Sequence, residues 1–211
     1  MYVERSRNAY LTWSIISINI VFFLIVNLSP GLILYLGAVP IYTIFFKEPH
    51  RLLTSMFVHY DPIHLFFNMF ALFIFGPEIE RVIGKSRYLI LYFLSGLTAS
   101  IFHAYYIYLF FPIRTLLTTP AIGASGAIYG VMAAYGVLFP FRRLVAFVFF
   151  PIMAPALVVI IILALIQTLY AFIAPFSQVA YAAHVGGFIT GLVITLIYRK
   201  GLRRMPIYSY F

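Results

Sequence analysis

The sequence predicts an all-α polytopic membrane protein, a bundle of six transmembrane helices with a membrane-embedded loop between spans one and two. Three observations carry this. Of its 211 residues, 64% are hydrophobic and 9% charged, against about 25% charged in an average soluble domain; too little polar surface is left to cover a water-soluble globule. The apolar runs are long and continuous, whereas a membrane barrel shows short alternating segments. Lys and Arg gather at one set of run ends. The length suits one membrane domain over residues 1–211, without a sizeable cytosolic addition.

Six runs approach the ~20 residues that a bilayer requires. The first covers 9–28. Arg5 and Arg7 precede it, but no small-residue cleavage site follows, and Asn27-Leu28-Ser29-Pro30 closes it, so it reads as a retained helix. A connection of about 30 residues follows, broken by Gly31, Pro40 and Pro49. Ile33, Leu34, Tyr35, Ile44, Phe45 and Phe46 argue against disorder there and for burial in the interface against the bundle. The second run covers 61–75 and passes through Pro77 into a turn. The third is 88–110 and the fourth, a short one, 125–139. The fifth is 144–173, with Pro151 and Pro155 interrupting its start. The sixth is 178–198.

Arg5, Arg7, Arg81, Lys85, Arg87, Arg142, Arg143, Arg199, Lys200, Arg203 and Arg204 lie at one set of ends; Lys47, Arg51 and Arg114 lie at the other. The basic side faces the cytoplasm. Both termini are therefore expected there, in a multi-pass protein of a prokaryotic cell membrane. The net charge of +9 is thus a topology signal, and nucleic acid is not an expected partner. The absence of cysteine excludes disulfides, thiolate catalysis and Cys-ligated metals.

Against this apolar background two polar residues stand out. Ser125 lies in Gly123-Ala124-Ser125-Gly126 and His184 in Ala183-His184-Val185-Gly186-Gly187. Intramembrane ionisable residues mark functional sites. Counted from residue 178, His184 is about six residues into its span, roughly 9 Å deep at ~1.5 Å per residue. The segment from Thr115 to Ala124, with Pro120 and Gly123, suits irregular backbone descending into a polar cavity. Gly126 and Gly130 on the fourth span, and Gly187 and Gly191 on the sixth, form small-residue faces that let helices approach closely. An imidazole bonded to the hydroxyl can take its proton as the oxygen attacks. His64 and Asn68, four apart, share a helix face and offer two donors for an oxyanion. His59 falls where it lines the mouth of such a cavity. Each feature alone also serves helix packing or structural hydrogen bonding, Tyr129 included; their joint occurrence favours chemistry. No carboxylate accompanies His59 and His64 in a zinc-binding pattern, so no metal ligand set is expected.

These residues resemble the rhomboid intramembrane serine proteases. The matching motifs are His64-Leu65-Phe66-Phe67-Asn68, then Gly123-Ala124-Ser125-Gly126 with Tyr129, then Ala183-His184 with Gly187 and Gly191, in family order, within about 51–198. The resemblance implies a Ser125–His184 catalytic dyad without an acidic third member. It implies an oxyanion hole of His64, Asn68 and the Ser125 N–H, and Tyr129 packed against His184. It also implies a structural glutamate at Glu80 in the loop after the second span, a lateral loop between the first two spans, and a gate formed by the fifth helix and the cap near Pro175-Phe176-Ser177. Ser95 and His103 fall where the family places water-holding polar groups. One departure is His50-Arg51, where the lateral loop often carries Trp-Arg.

The expected function is an intramembrane serine endopeptidase acting through an acyl-enzyme on transmembrane protein substrates within the lipid bilayer, with no metal or organic cofactor. Two other classes compete. A non-catalytic rhomboid-like binder typically lacks Ser or His, and both are present. A small transporter would bury carboxylates or Lys midspan, but Glu4, Glu48, Asp61, Glu78 and Glu80 all lie near span ends.

Overall fold

The computed structural model describes residues 8–147, 151–177 and 179–202. The chain is mainly helical. Five of its helices are long and apolar enough to cross a membrane: α1 (Tyr10–Leu28), α5 (Pro62–Ile83), α6 (Lys85–Phe110), α9 (Ala156–Ile173) and α10 (Tyr181–Leu202). A sixth, α8 (Ser125–Leu138), is apolar but has only 14 residues. Short helices α2 (Leu32–Leu36), α3 (Pro40–Ile44) and α4 (His50–Thr54), and a 3-10 turn at Ser55–Phe57, build the connection from α1 to α5. Helix α7 (Arg114–Thr118) lies between α6 and α8.

Helix α8 sits in the centre. Nearly every residue from Gly126 to Gly136 is buried, packed by α5, α6, α9 and α10. The core around it includes Leu72, Ile79, Tyr92, Val131, Tyr135 and Ile160. At ~1.5 Å per residue, α8 is roughly 21 Å long and α6 roughly 39 Å. A helix this short, surrounded by longer ones, starts well inside the bundle.

Several sequence expectations need correction. The second span does not stop at residue 75. Helix α5 runs through Pro77 to Ile83, because Pro77 is buried among neighbouring helices, and packing outweighs one lost backbone hydrogen bond. Glu80 therefore lies within this helix and not in a following loop. Gly84 alone links α5 to α6; its φ of 85° is the left-handed conformation that glycine tolerates, and α6 begins at Lys85 instead of 88. The fifth span does not begin at 144. Two strands pair antiparallel there, β1 (Arg143–Phe147) with β2 (Pro151–Pro155), matching Arg143 with Pro155 and Phe147 with Pro151. The prolines cannot donate in a helix, and Pro155 holds Ala154 extended. The helix starts only at Ala156, whose N–H bonds the Arg142 carbonyl at 2.7 Å. The fold is thus mainly helical, in keeping with the all-α class, with one short pair of strands. In the sixth span, residue 178 lies outside the described residues, and α10 starts at Tyr181. His184 is therefore in its first turn, not six residues down. Arg5, Arg7, Arg203 and Arg204 also lie outside the described residues.

Arg51 organises the α1–α5 connection. It is buried, donates to the carbonyls of Leu34 and Gly37, pairs with Glu48 and stacks over Tyr42. His50 is exposed, so the arginine anchors the loop without an aromatic residue before it. Arg81, Lys85, Arg87 and Arg142 converge at the opposite end. There Arg142 and Arg81 pair with Glu78, Lys85 covers Tyr10 and Arg87 covers Tyr198.

Glu80 fixes α1. Its carboxylate accepts from Leu11 N (3.0 Å), Thr12 N (2.8 Å) and Thr12 Oγ1 (2.8 Å), and Thr12 reaches on to the Tyr88 hydroxyl. A buried anion at the first turn of a helix meets otherwise unpaired N–H groups and the positive end of the helix dipole. Glu80→Gln keeps the shape but loses the charge, and is expected to lower stability by about 2 kcal/mol. Glu80→Ala leaves the Leu11 and Thr12 N–H groups without their acceptor and is expected to cost about 3 kcal/mol or more. Thermal unfolding in one detergent checks the order; equal melting temperatures for wild type and Glu80→Gln would show that the charge contributes nothing.

Candidate active site

Ser125 is the first residue of α8, and its approach is set by backbone geometry. Ala38 and Ala121 exchange two hydrogen bonds of 2.9 Å, tying the descending segment to the α1–α5 connection. Gly123 N then bonds the Ser55 carbonyl at 2.9 Å. Gly123 has φ 119°, and a Cβ there would meet His64 Nε2 at 2.8 Å. Both features demand glycine. The chain turns at that point and delivers Ser125 with its backbone N–H among the unpaired donors of a helix N-terminus.

His184 comes from α10, which packs against α8 more extensively than any other pair of elements. A Cβ on Gly187 would collide with the Gly126 carbonyl, and one on Gly191 with the Gly130 carbonyl. The glycines thus bring the two backbones into direct contact, as the small-residue faces predicted. Ser125 Oγ lies 2.7 Å from His184 Nε2. Tyr129, one turn below Ser125, stacks on the imidazole with centroids 4.5 Å apart and planes at 12°. Tyr181 meets the same ring edge-on.

His64 is in the first turn of α5, capped by Asp61, whose carboxylate accepts from His64 N at 2.7 Å. Its Nδ1 accepts from Tyr60 N at 3.4 Å, which leaves the proton on Nε2, the nitrogen beside Gly123. A donor therefore faces the Ser125 side. Asn68 is buried and gives one amide hydrogen to the His64 carbonyl at 2.8 Å, holding the other in reserve. His59 is 1% exposed and lies edge-on to His64, with centroids 5.0 Å apart. Burial lowers its pKa to about 3, the His64 ring adds to the shift, and the Phe57 backbone opposes it. His59 is therefore neutral beside the site. Ser95 Oγ and His103 Nδ1 are buried polar atoms without a protein partner among the described residues. Ser95 abuts Gly130, while His103 lines a small, open pocket with Tyr106, Ala171 and Tyr181, the last of which touches the His184 ring. Among the described residues no three His, Asp or Glu side chains converge as a metal ligand set.

One site residue escaped the sequence reading. Gln167 of α9 places Oε1 2.7 Å from His184 Nδ1. The available signal was a lone amide in the most apolar of the spans. It was missed because nothing in the sequence says which way that side chain turns.

Comparisons with known proteins identify the family. The family model described as Rhomboid domain matches residues 47–201. The chain is 35% identical over 140 residues to Rhomboid protein 1, mitochondrial, of Saccharomyces cerevisiae, covering 66% of this chain and 39% of the yeast protein. It is 34% identical over 161 residues to Rhomboid protease AarA of Providencia stuartii, covering 68% of this chain and 54% of that protein. Rhomboid protease GluP of Bacillus subtilis is 31% identical over 137 residues, covering 63% of this chain and 25% of that protein. The chain thus spans about half or less of the length of these relatives. With a match over most of its length, the chain belongs to the rhomboid family.

Proposed function

We propose that this chain is an intramembrane serine endopeptidase that cleaves transmembrane segments of other proteins through a Ser125–His184 dyad. The observation that carries the reading is the 2.7 Å contact between Ser125 Oγ and His184 Nε2 at the starts of two glycine-packed helices. His184 accepts the hydroxyl proton as Ser125 Oγ attacks the scissile carbonyl carbon. The proton then passes to the leaving amine, and an acyl-enzyme remains. The His64 Nε2–H, an Asn68 amide hydrogen and the Ser125 N–H stabilise the oxyanion. Water, held by groups such as Ser95 and His103, hydrolyses the ester with His184 again as base.

In this reading the whole is a single six-span domain, with α8 as the sixth, short span and the α1–α5 connection embedded in the membrane. The helix ends alternate between the basic end and the site end. Both termini are then cytoplasmic, and cleavage occurs near the outer ends of substrate helices, at small residues followed by helix-weakening ones. The names of the aligned bacterial relatives, which include the word protease, support the activity. The presence of both Ser125 and His184 favours it over a non-catalytic binder.

Ser125→Ala is expected to abolish cleavage of a model transmembrane substrate in detergent while the melting temperature stays near that of the wild type. His184→Ala is expected to abolish both cleavage and fluorophosphonate labelling of Ser125, since the hydroxyl is a poor nucleophile without a base. Labelling at the wild-type rate would exclude His184 from the role.

His64→Ala is expected to lower kcat by about 10²–10³-fold with little change in KM, because its donor matters most to the oxyanion. Asn68→Ala is expected to lose less, as one of its hydrogens already serves the His64 carbonyl. A change confined to KM in both variants would mean that they bind substrate instead.

A reporter fused after Phe211 is expected to be active only when it reads the cytoplasmic side. Activity on the outer side alone would overturn the orientation.

A further inference from the structure

Gln167 has no part in the dyad reading, yet its position is unusual. Helix α9 carries only two other polar side chains, Thr168 and Tyr170. Thr168 gives its hydroxyl to the Ala164 carbonyl of its own helix. A primary amide in such a helix needs a partner, because leaving it unbonded in an apolar setting is costly. Gln167 finds one by turning inward. It is half-buried while Ile166 and Thr168 on either side are exposed. Its Oε1 meets His184 Nδ1 at 2.7 Å, and the same amide faces the Tyr129 hydroxyl.

A neutral imidazole carries one N–H, and its two tautomers are not equivalent here. With the proton on Nδ1, donated to Gln167 Oε1, Nε2 offers its lone pair to the Ser125 hydroxyl and can accept that proton. With the proton on Nε2, the ring donates to Ser125 Oγ and cannot act as base. The partner of one ring nitrogen selects the state of the other. A neutral amide makes this selection without burying a charge in the bundle, where a carboxylate would be costly. The Tyr129 ring on the imidazole face holds the plane, and the amide fixes rotation within it.

We propose that Gln167 is a positioning residue that holds His184 in the Nδ1–H tautomer, with Nε2 directed at Ser125. The inference rests on the proposed Ser125–His184 chemistry, and the test separates the two. The purified full chain in detergent is assayed on a transmembrane-segment substrate. Gln167→Leu fits the apolar helix but removes the acceptor, and kcat is expected to fall by about 10–100-fold with KM unchanged, less than the ~10⁴-fold known for tautomer loss in a charged triad. Nitrogen-15 histidine spectra, with His184→Ala identifying the signal, are expected to show Nδ1 protonated in the wild type and a gain of the Nε2–H form in Gln167→Leu. Gln167→Glu keeps an acceptor oxygen at the same reach and is expected to retain most of kcat. Should Gln167→Leu melt early, Gln167→Met provides the same comparison. Wild-type kcat in Gln167→Leu, or equal losses in the Leu and Glu variants with an unchanged tautomer signal, would overturn the positioning role. If instead Ser125→Ala and His184→Ala remained active in this assay, the dyad itself would be wrong.

Discussion

The direct contact of backbone on backbone between α8 and α10 is the constraint on which the rest depends. Gly187 and Gly191 leave no room for a methyl group against the carbonyls of Gly126 and Gly130. In a membrane there is no hydrophobic drive between apolar helices, so close packing must supply the association. The same glycines set the registry of the two helices. Ser125 adjoins Gly126 and His184 precedes Gly187 by three residues, so the contact that holds the helices also fixes the 2.7 Å separation. The stability of the core and the alignment of the candidate dyad are thus two results of one interface.

A second requirement follows from the apolar surroundings: buried polar groups must be bonded. Away from the site this is met almost completely. Glu80 satisfies the first turn of α1, Arg51 collects carbonyls of the α1–α5 connection, and Thr98 pairs with Thr190 between α6 and α10 at 2.8 Å. Among the described residues, the buried side-chain atoms without a hydrogen-bond partner are Asn19 Oδ1, both nitrogens of His59, the Tyr92 hydroxyl, Ser95 Oγ and His103 Nδ1. His59 flanks His64, and Ser95 abuts Gly130 on α8. Unmet polar capacity therefore gathers partly beside the candidate site, as expected where a reaction needs groups that are not already committed.

Much of this was legible in the sequence. The apolar runs located α1, α6 and α10 within a few residues, and the motifs named Ser125, His184, His64 and Tyr129, which the fold brings together. What was misjudged has a physical pattern. Hydrophobicity alone could not separate the β1–β2 strand pair from the helix after it, since Leu144, Val145 and Ile152 suit either; the prolines were the better guide. Pro77 misled in the other direction, because tertiary packing carries α5 through it. Gln167 was invisible because a single amide shows no periodicity, and its importance lies wholly in which way it turns.

The shortness of α8 draws these points together. A helix of full span would place its first residue at the membrane surface, where water competes for every hydrogen bond. Fourteen residues among longer neighbours let Ser125 start inside the bundle, and Gly123 and the Ala38–Ala121 bridge supply the irregular backbone that leads to it. Irregular backbone at such depth is tolerable only when protein satisfies it. The α1–α5 connection does this through Ser55 and Ala38, which in turn are held in place by the loop that Arg51 anchors. The α1–α5 connection, its buried arginine and a truncated helix thus act as one device, and its effect is to put a serine hydroxyl and the N–H groups of a helix N-terminus into a site shielded by the bundle.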